Sequence, residues 1–381
     1  MSGIEQGPIR PPSEAQSLLL RVTRNCSWNH CEFCHIYKGN KLSLRTVEEV
    51  KQDIDNIKDI IDELKTDSWN QGYGGEITTD VIRSAIKSLH RFPEGARSVL
   101  LWLYNGGKNV FLQDADNLIL KTKDLVEMLV YLKQTFPSIN RITSYSRAKT
   151  VARKTLEELK DLKQAGLTRL HIGLESGYDP ILKFVKKGVT ALQHIDAGQK
   201  VKAAGIELSE YYMPGLGGKK LWKKHAVETA KVMNQIDPDF IRLRTLKVLE
   251  IMPLYKKIED GEFELMSDDE IVVELRLLVE NLDGIHSRIT SDHILNLLEE
   301  IEGKLPDDKE KMLSVIDRYL ALPQAERENF RLGRRAGFYR AQHDMDNPEL
   351  RSRVDQIMQR IQTQTPGDLD KVISEIMESF I

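Results

Sequence analysis

The chain has 381 residues, 40% hydrophobic and 30% charged, with 55 basic against 58 acidic side chains and a net charge of −3. That balance leaves no basic footprint for nucleic acid, and no apolar run reaches membrane-spanning length. The length suits one large α/β domain with a smaller appendage.

Residues 1–16 are polar, carry Pro8, Pro11 and Pro12, and read as an arm lying over the surface. A first strand is expected at Ser17–Thr23, where the apolar run Leu18 to Val22 marks a buried segment. The three cysteines follow it, Cys26, Cys31 and Cys34, spaced C-x4-C-x2-C. An odd count on a chain without a signal-peptide core speaks against disulfides and for a reducing, cytoplasmic setting. Three thiolates on one loop can hold three irons of a four-iron cluster and leave the fourth iron open. Structural zinc with His35 or His30 is the alternative, and a second pair of ligands is missing for it.

Beyond the loop, Thr46–Lys65 reads as an amphipathic helix through Val50, Ile54, Ile57, Ile60 and Ile61. Residues 67–108 read as an insertion, with helices near Val81–Leu89 and Val99–Tyr104. A β–α alternation then sets in. Strands are expected at Asn109–Leu112, Arg141–Ser144, Leu170–Leu174, Ile206–Met213 and Phe240–Val248. Helices lie between them, one marked by Leu192, Ile195 and Val201. Counted from the first strand this makes six β–α steps, hence a parallel sheet whose sites sit at the carboxyl ends of its strands. The expected fold is an open six-stranded α/β barrel over residues 17–255. A mostly helical region follows at 256–381, with an edge strand near Ile285–Ile289.

Several segments carry chemistry. Gln113-Asp114-Ala115-Asp116 ends the second barrel strand, where a carboxylate can accept from an ammonium group or cap a turn. His171-Ile-Gly-Leu-Glu175-Ser-Gly177 ends the fourth, followed by Val185-Lys-Lys187-Gly188. Tyr211-Tyr-Met-Pro-Gly215-Leu-Gly-Gly218 ends the fifth, where glycine lets backbone approach a ligand or simply makes a tight turn. Arg242-Leu-Arg244-Thr245 lies on the sixth, and inward arginines there need a ligand or a partner. Thr290-Ser-Asp292-His293-Ile-Leu-Asn296 and the basic turn Gly333-Arg334-Arg335 either close the mouth and touch substrate or form caps and surface networks.

Cys31-Glu-Phe33-Cys34, with an aromatic before the last cysteine, resembles the cluster loop of the radical S-adenosylmethionine (SAM) superfamily. That loop usually has C-x3-C-x2-C, so Cys26 is one residue further away here. The Glu175 and Lys187 segments resemble the fourth-strand signature of the group containing oxygen-independent coproporphyrinogen oxidases, methylthiotransferases and Elongator-type enzymes. The resemblance covers residues 17–255. It implies a radical SAM enzyme with one 4Fe–4S cluster on Cys26, Cys31 and Cys34. It further implies SAM contacts from Phe33, Asp114, Asp116, Glu175, Lys187, Gly215 and Arg244. Gly74-Gly75-Glu76 spells the family's amino-group motif literally, but it follows no strand and reads as a turn.

The implied reaction is reductive cleavage of SAM to a 5′-deoxyadenosyl radical that takes hydrogen from a substrate. The electron comes from a flavodoxin or ferredoxin type of donor. Asp292 and His293 are candidate substrate residues; the substrate, a small molecule or another kind, is not identified, and no catalytic residue is assigned. With no cysteines left for an auxiliary cluster, methylthiotransferases do not fit, and no segment resembling a cobalamin domain precedes the barrel. A non-catalytic iron–sulfur or haem-binding chaperone and a zinc-binding interaction protein are the alternative readings.

Overall fold

Among the described residues the computed structural model has ten strands: β1 (Leu18–Arg21), β2 (Thr23–Arg24), β3 (Ser43–Leu44), β4 (Asn109–Gln113), β5 (Arg141–Ser146), β6 (Leu167–Glu175), β7 (Glu207–Tyr212), β8 (Phe240–Leu243), β9 (Arg288–Thr290) and β10 (Gly303–Lys304). The structure describes residues 3–364 and 369–378. Residues 1–2 of the arm and 365–368 and 379–381 of the C-terminal region lie outside them.

The chain forms two compact units, one of residues 1–29, 36–172 and 196–208, the other of residues 30–35, 173–195 and 209–381. In the first, β1, β4, β5 and β6 lie side by side in that order, all parallel, with Leu19 opposite Phe111, Val110 opposite Ile142 and Tyr145 opposite His171. Leu18, Val110, Phe111 and Leu112 are fully buried, as expected of parallel strands covered on both faces. β2 and β3 pair antiparallel as a separate two-stranded ribbon. In the second unit β7, β8 and β9 run parallel and β10 closes the edge antiparallel.

The helices start where the sequence caps them. Thr46 with Glu49, Thr155 with Glu158 and Ser267 with Glu270 form reciprocal capping boxes on the helices Val47–Asn70, Leu156–Ala165 and Asp268–Asn281. The α/β alternation expected from the sequence is present, with strand ends moved by a few residues. The first helix runs on to Asn70, so the insertion is helical for much of its length, with helices at Thr79–Lys87 and Ala96–Tyr104.

Three expectations need correction, and one element was not foreseen. The arm is not merely superficial: Ile4 and Glu14 are buried, Glu14 against Ser17 and Arg141. Leu192 is 73% exposed, because the helix Ala191–Ala203 turns His194, Ala197 and Val201 inward instead. Gly333-Arg334-Arg335 is no surface turn. It ends the helix Gln324–Arg335, with Arg334 buried against Glu299 and Arg335 against Asp268. The two-residue β10 gave no periodicity to read. Among the described residues no helix is long and apolar enough to cross a membrane.

Candidate functional site

In the first unit the functional side chains gather after β1 and β4. Parallel pairing puts the ends of these strands side by side, with Arg21 opposite Gln113. Asp114 follows Gln113 with φ at +74°, a left-handed turn that aspartate tolerates better than most side chains. Its carboxylate is fully buried, pairs with the Arg21 guanidinium and accepts from the Tyr37 hydroxyl at 2.6 Å. Burial and then this carboxylate push the Tyr37 hydroxyl well above its ordinary pKa. Asp116 is equally buried and accepts four hydrogen bonds, from the hydroxyls of Ser27, Ser146 and Thr150 and from the Arg147 N–H. A carboxylate offers about four lone-pair sites, so Asp116 has none left over.

The sequence places both aspartates correctly, at a strand end, and expects them to meet an ammonium group. The structure shows both engaged by the protein instead. Asp116 holds Ser27 and Asp114 holds Tyr37, the two sides of the cysteine segment. Gly74-Gly75-Glu76 is a turn between two helices, with Glu76 exposed and its carbonyl taken by the Ser68 hydroxyl. Cys26 is half-buried and receives the Asn29 N–H at 3.4 Å.

In the second unit, Cys31 and Cys34 are half-buried in a short turn, the Cys34 N–H donating to the Cys31 carbonyl. Glu32 between them fixes the turn. Its N–H donates to the Val185 carbonyl and its own carbonyl accepts from Leu254, both at 2.9 Å. Phe33 packs on a buried cluster that includes Ile181, Val185, Met213 and Leu254. Above the Phe33 ring, 5.6 Å from its centroid, lies the Lys187 ammonium, which also pairs with Glu175 at 3.0 Å.

Glu175 ends β6 in a left-handed conformation, φ +62°, which turns its side chain back along the strand. A β-carbon on Gly173 would collide with the Glu175 carboxylate and lie 2.9 Å from the Lys187 ammonium, so glycine lets this pair sit here without shifting. The sequence singles out Glu175, Lys187 and Phe33 separately, and the structure brings the three together.

Gly215 lies in the turn after β7 with φ at +88°, and its N–H donates to Glu274. The Tyr212 hydroxyl donates to the same oxygen at 2.6 Å, while His225 bridges the Ser176 hydroxyl and the Met213 carbonyl. Sequence reading misses this buried network. Its signal is a glutamate on the apolar face of the helix Asp268–Asn281, beside Ile271, Leu275 and Leu278. Burial raises the Glu274 carboxyl to about 8 and lowers the His225 imidazole to about 4. Glu210 is also missed. It is fully buried on β7, and among the described residues no side chain hydrogen-bonds either of its oxygens. Burial drives its pKa far up, and the Lys187 charge and the Leu174 N–H oppose this only in part.

Arg242 and Arg244 alternate to one face along β8 and its continuation. The Arg242 guanidinium meets Asp292 at 3.0 Å and the Ser209 hydroxyl at 3.1 Å. Asp292 is exposed and His293 half-buried, in a loop that Asn296 ties to the Leu243 carbonyl and to Thr245. Burial, and then the Arg244 charge, lower both His35 and His293, the latter to about 4.

Among the described residues, no group of three or more His, Cys, Asp or Glu side chains is arranged to hold a metal ion. The donor chemistry nevertheless fits an iron–sulfur cluster: three soft ligands within nine residues of the sequence, each half-buried.

A family model described as the Radical SAM superfamily matches residues 20–230. A tRNA uridine(34) acetyltransferase of Methanocaldococcus infernus is 28% identical over 117 residues, 30% of this chain and 22% of that protein. The matched stretch thus spans under a quarter of the length of that relative. Among solved structures, the archaeal Methanocaldococcus infernus Elp3 with an N-terminal deletion is 18% identical, covering 59% of this chain and 57% of that one, at a TM-score of 0.43. Coproporphyrinogen III oxidase from Escherichia coli is 15% identical, covering 70% and 52%, at 0.46.

Proposed function

The chain belongs to the radical SAM superfamily, and on that premise we propose that it is an enzyme whose Cys26, Cys31 and Cys34 hold one 4Fe–4S cluster. When bound, the cluster supplies the electron that cleaves SAM to methionine and a 5′-deoxyadenosyl radical, which takes a hydrogen atom from the substrate.

The observation that supports this reading best is the group formed by Glu175, Lys187 and Phe33. It places one cation and one carboxylate at the end of β6, beside the turn that carries Cys31 and Cys34. SAM bears both an ammonium and a carboxylate. Lys187 is suited to the carboxylate, because a charged hydrogen bond is the stronger kind. Glu175 is suited to the ammonium or the ribose hydroxyls. The turn at Gly215 presents backbone rather than side chain to the cofactor. Asp114 and Asp116 then act one step back, holding Tyr37 and Ser27 around the cysteines. The work of this chain is to place a substrate carbon against the radical and to keep water away. The electron donor is of the flavodoxin or ferredoxin type, and the setting is a reducing cytoplasm.

Anaerobic reconstitution tests the reading. The wild-type chain should take up about four irons and four sulfides, and replacing all three cysteines by alanine should abolish uptake. Dithionite with SAM should then yield 5′-deoxyadenosine slowly without substrate. One tightly held zinc and no sulfide would refute the cluster. An intact reduced cluster that binds SAM and never cleaves it would favour a non-catalytic chaperone.

A further inference from the structure

Two arginines stand on one face at the end of β8, and the protein treats them differently. Arg242 has a carboxylate and a hydroxyl: Asp292 at 3.0 Å and Ser209 at 3.1 Å. The Arg244 guanidinium, half-buried, has no hydrogen bond and no ion pair among the described residues. Its backbone is held, since its N–H donates to the Tyr212 carbonyl at 3.0 Å, so the side chain is presented from a fixed point. A guanidinium carries five donors, and a half-buried one without a protein partner can turn them to a bound anion.

The loop 291–296 adds a second donor. Asn296 spans the end of β8, donating to the Leu243 carbonyl at 2.8 Å and accepting from the Thr245 N–H at 3.0 Å. That clamp fixes His293. The Leu295 N–H donates to its Nδ1 at 3.2 Å. Nδ1 is therefore the acceptor, and the neutral ring carries its proton on Nε2, a donor without a partner among the described residues. Burial, and to a lesser extent the Arg244 charge, keep the imidazole neutral. The ring thus stays a one-proton donor beside a permanent cation.

We propose that Arg244, which the family resemblance alone assigns to SAM, serves the substrate instead and forms with His293 the subsite for an anionic group, a carboxylate or a phosphate, on the substrate. The proposal rests on the radical SAM reading, since it takes this strand end as the substrate side of the site. A planar guanidinium matches either anion through paired N–H donors, and the imidazole supplies a third hydrogen bond. Arg242 with Asp292 and the Asn296 clamp are positioning residues: they hold strand and loop in register and leave Arg244 to the ligand.

The test uses the full chain, reconstituted with its cluster and saturated with SAM under anaerobic conditions. Inorganic phosphate and succinate are titrated separately by calorimetry. The expected result is that one of them binds, and which one does identifies the group. Arg244→Gln should weaken that binding about ten- to a hundredfold, the cost of a charged hydrogen bond. Arg244→Lys should recover part of it, and His293→Ala should weaken it severalfold.

SAM affinity, measured on the same samples, should change by less than about twofold in Arg244→Gln, with circular dichroism confirming the fold. Failure of both anions to bind the wild type overturns the proposal. So does an Arg244→Gln chain that loses SAM affinity instead, which would make Arg244 a cofactor ligand. A wild-type chain that takes up no cluster yet binds phosphate through Arg244 refutes the radical SAM reading and leaves the anion subsite standing.

Discussion

Replacing Asp116 by asparagine separates the two roles a carboxylate at that strand end can have. In the structure its Oδ1 accepts from Ser146 Oγ at 2.9 Å and Arg147 N at 3.0 Å, and its Oδ2 from Ser27 Oγ and from Thr150 Oγ1 at 2.6 Å. Asparagine keeps one oxygen and turns an NH2 group toward the other two donors. Half-buried Ser27 and buried Thr150 then lose their acceptor, at about 1–3 kcal/mol each. Hydroxyls can rotate and the Arg147 N–H cannot, so the amide will keep its oxygen on that side and release Ser27 and Thr150. The expected loss is roughly 2–4 kcal/mol, enough to lower a urea unfolding midpoint by on the order of 1 M.

Iron uptake should fall too, because Ser27 adjoins Cys26. The fraction that does take up cluster should bind SAM nearly as the wild type does. If Asp116→Asn unfolds at the wild-type urea concentration but binds SAM tenfold more weakly, the reasoning fails. The carboxylate is then the ammonium acceptor, and its four contacts in the fold are incidental.

Glu274 makes the chain sensitive to alkali. Its native pKa, raised to about 8, exceeds the unfolded value, so its contribution is fully present below about pH 4.5 and declines as pH rises toward 8. Glu274→Gln should remove a loss on the order of a few kcal/mol, seen as a melting-temperature advantage over wild type that grows between pH 5 and pH 8; parallel curves would refute the assignment. Gly173→Ala should push Glu175 and Lys187 apart and weaken SAM binding at least tenfold with little change in iron content. Glu76→Ala should leave SAM binding and stability within about 0.5 kcal/mol of wild type, as expected of an exposed turn; a tenfold loss of SAM affinity would restore the literal motif.

The strands were legible because parallel strands covered on both faces read as plain apolar runs, as at Leu18–Leu20 and Val110–Leu112. Legible too was the position of Asp114 and Asp116 at a strand end. Their partners were not, since Ser27 lies 89 residues from Asp116 and Tyr37 77 from Asp114, and nothing in local spelling links them. Glu175 and Lys187 stood out as two separate charges; that they meet depends on the left-handed turn at Glu175 and on the absent side chain of Gly173. Glu274 could have been noticed as a charge on an apolar helix face. Gly333 misled because glycine before two arginines reads as a turn, whereas here it clears space beside the Tyr339 ring inside the fold.

The two aspartates after β4 also bear on how the cysteine loop is filled. With Ser27 and Tyr37 tethered, the stretch that must find its shape around a cluster is closed at both ends before any iron arrives. Closing a loop of about ten residues carries an entropic cost that grows only with the logarithm of its length, and the folded protein has already met it. On the proposed reading the three thiols lie within nine residues of one another along the chain, so the second and third iron–sulfur bonds would form as intramolecular steps. Cutting either tether should therefore slow cluster insertion more than it weakens the finished cluster, a kinetic signature carried by residues that never touch iron.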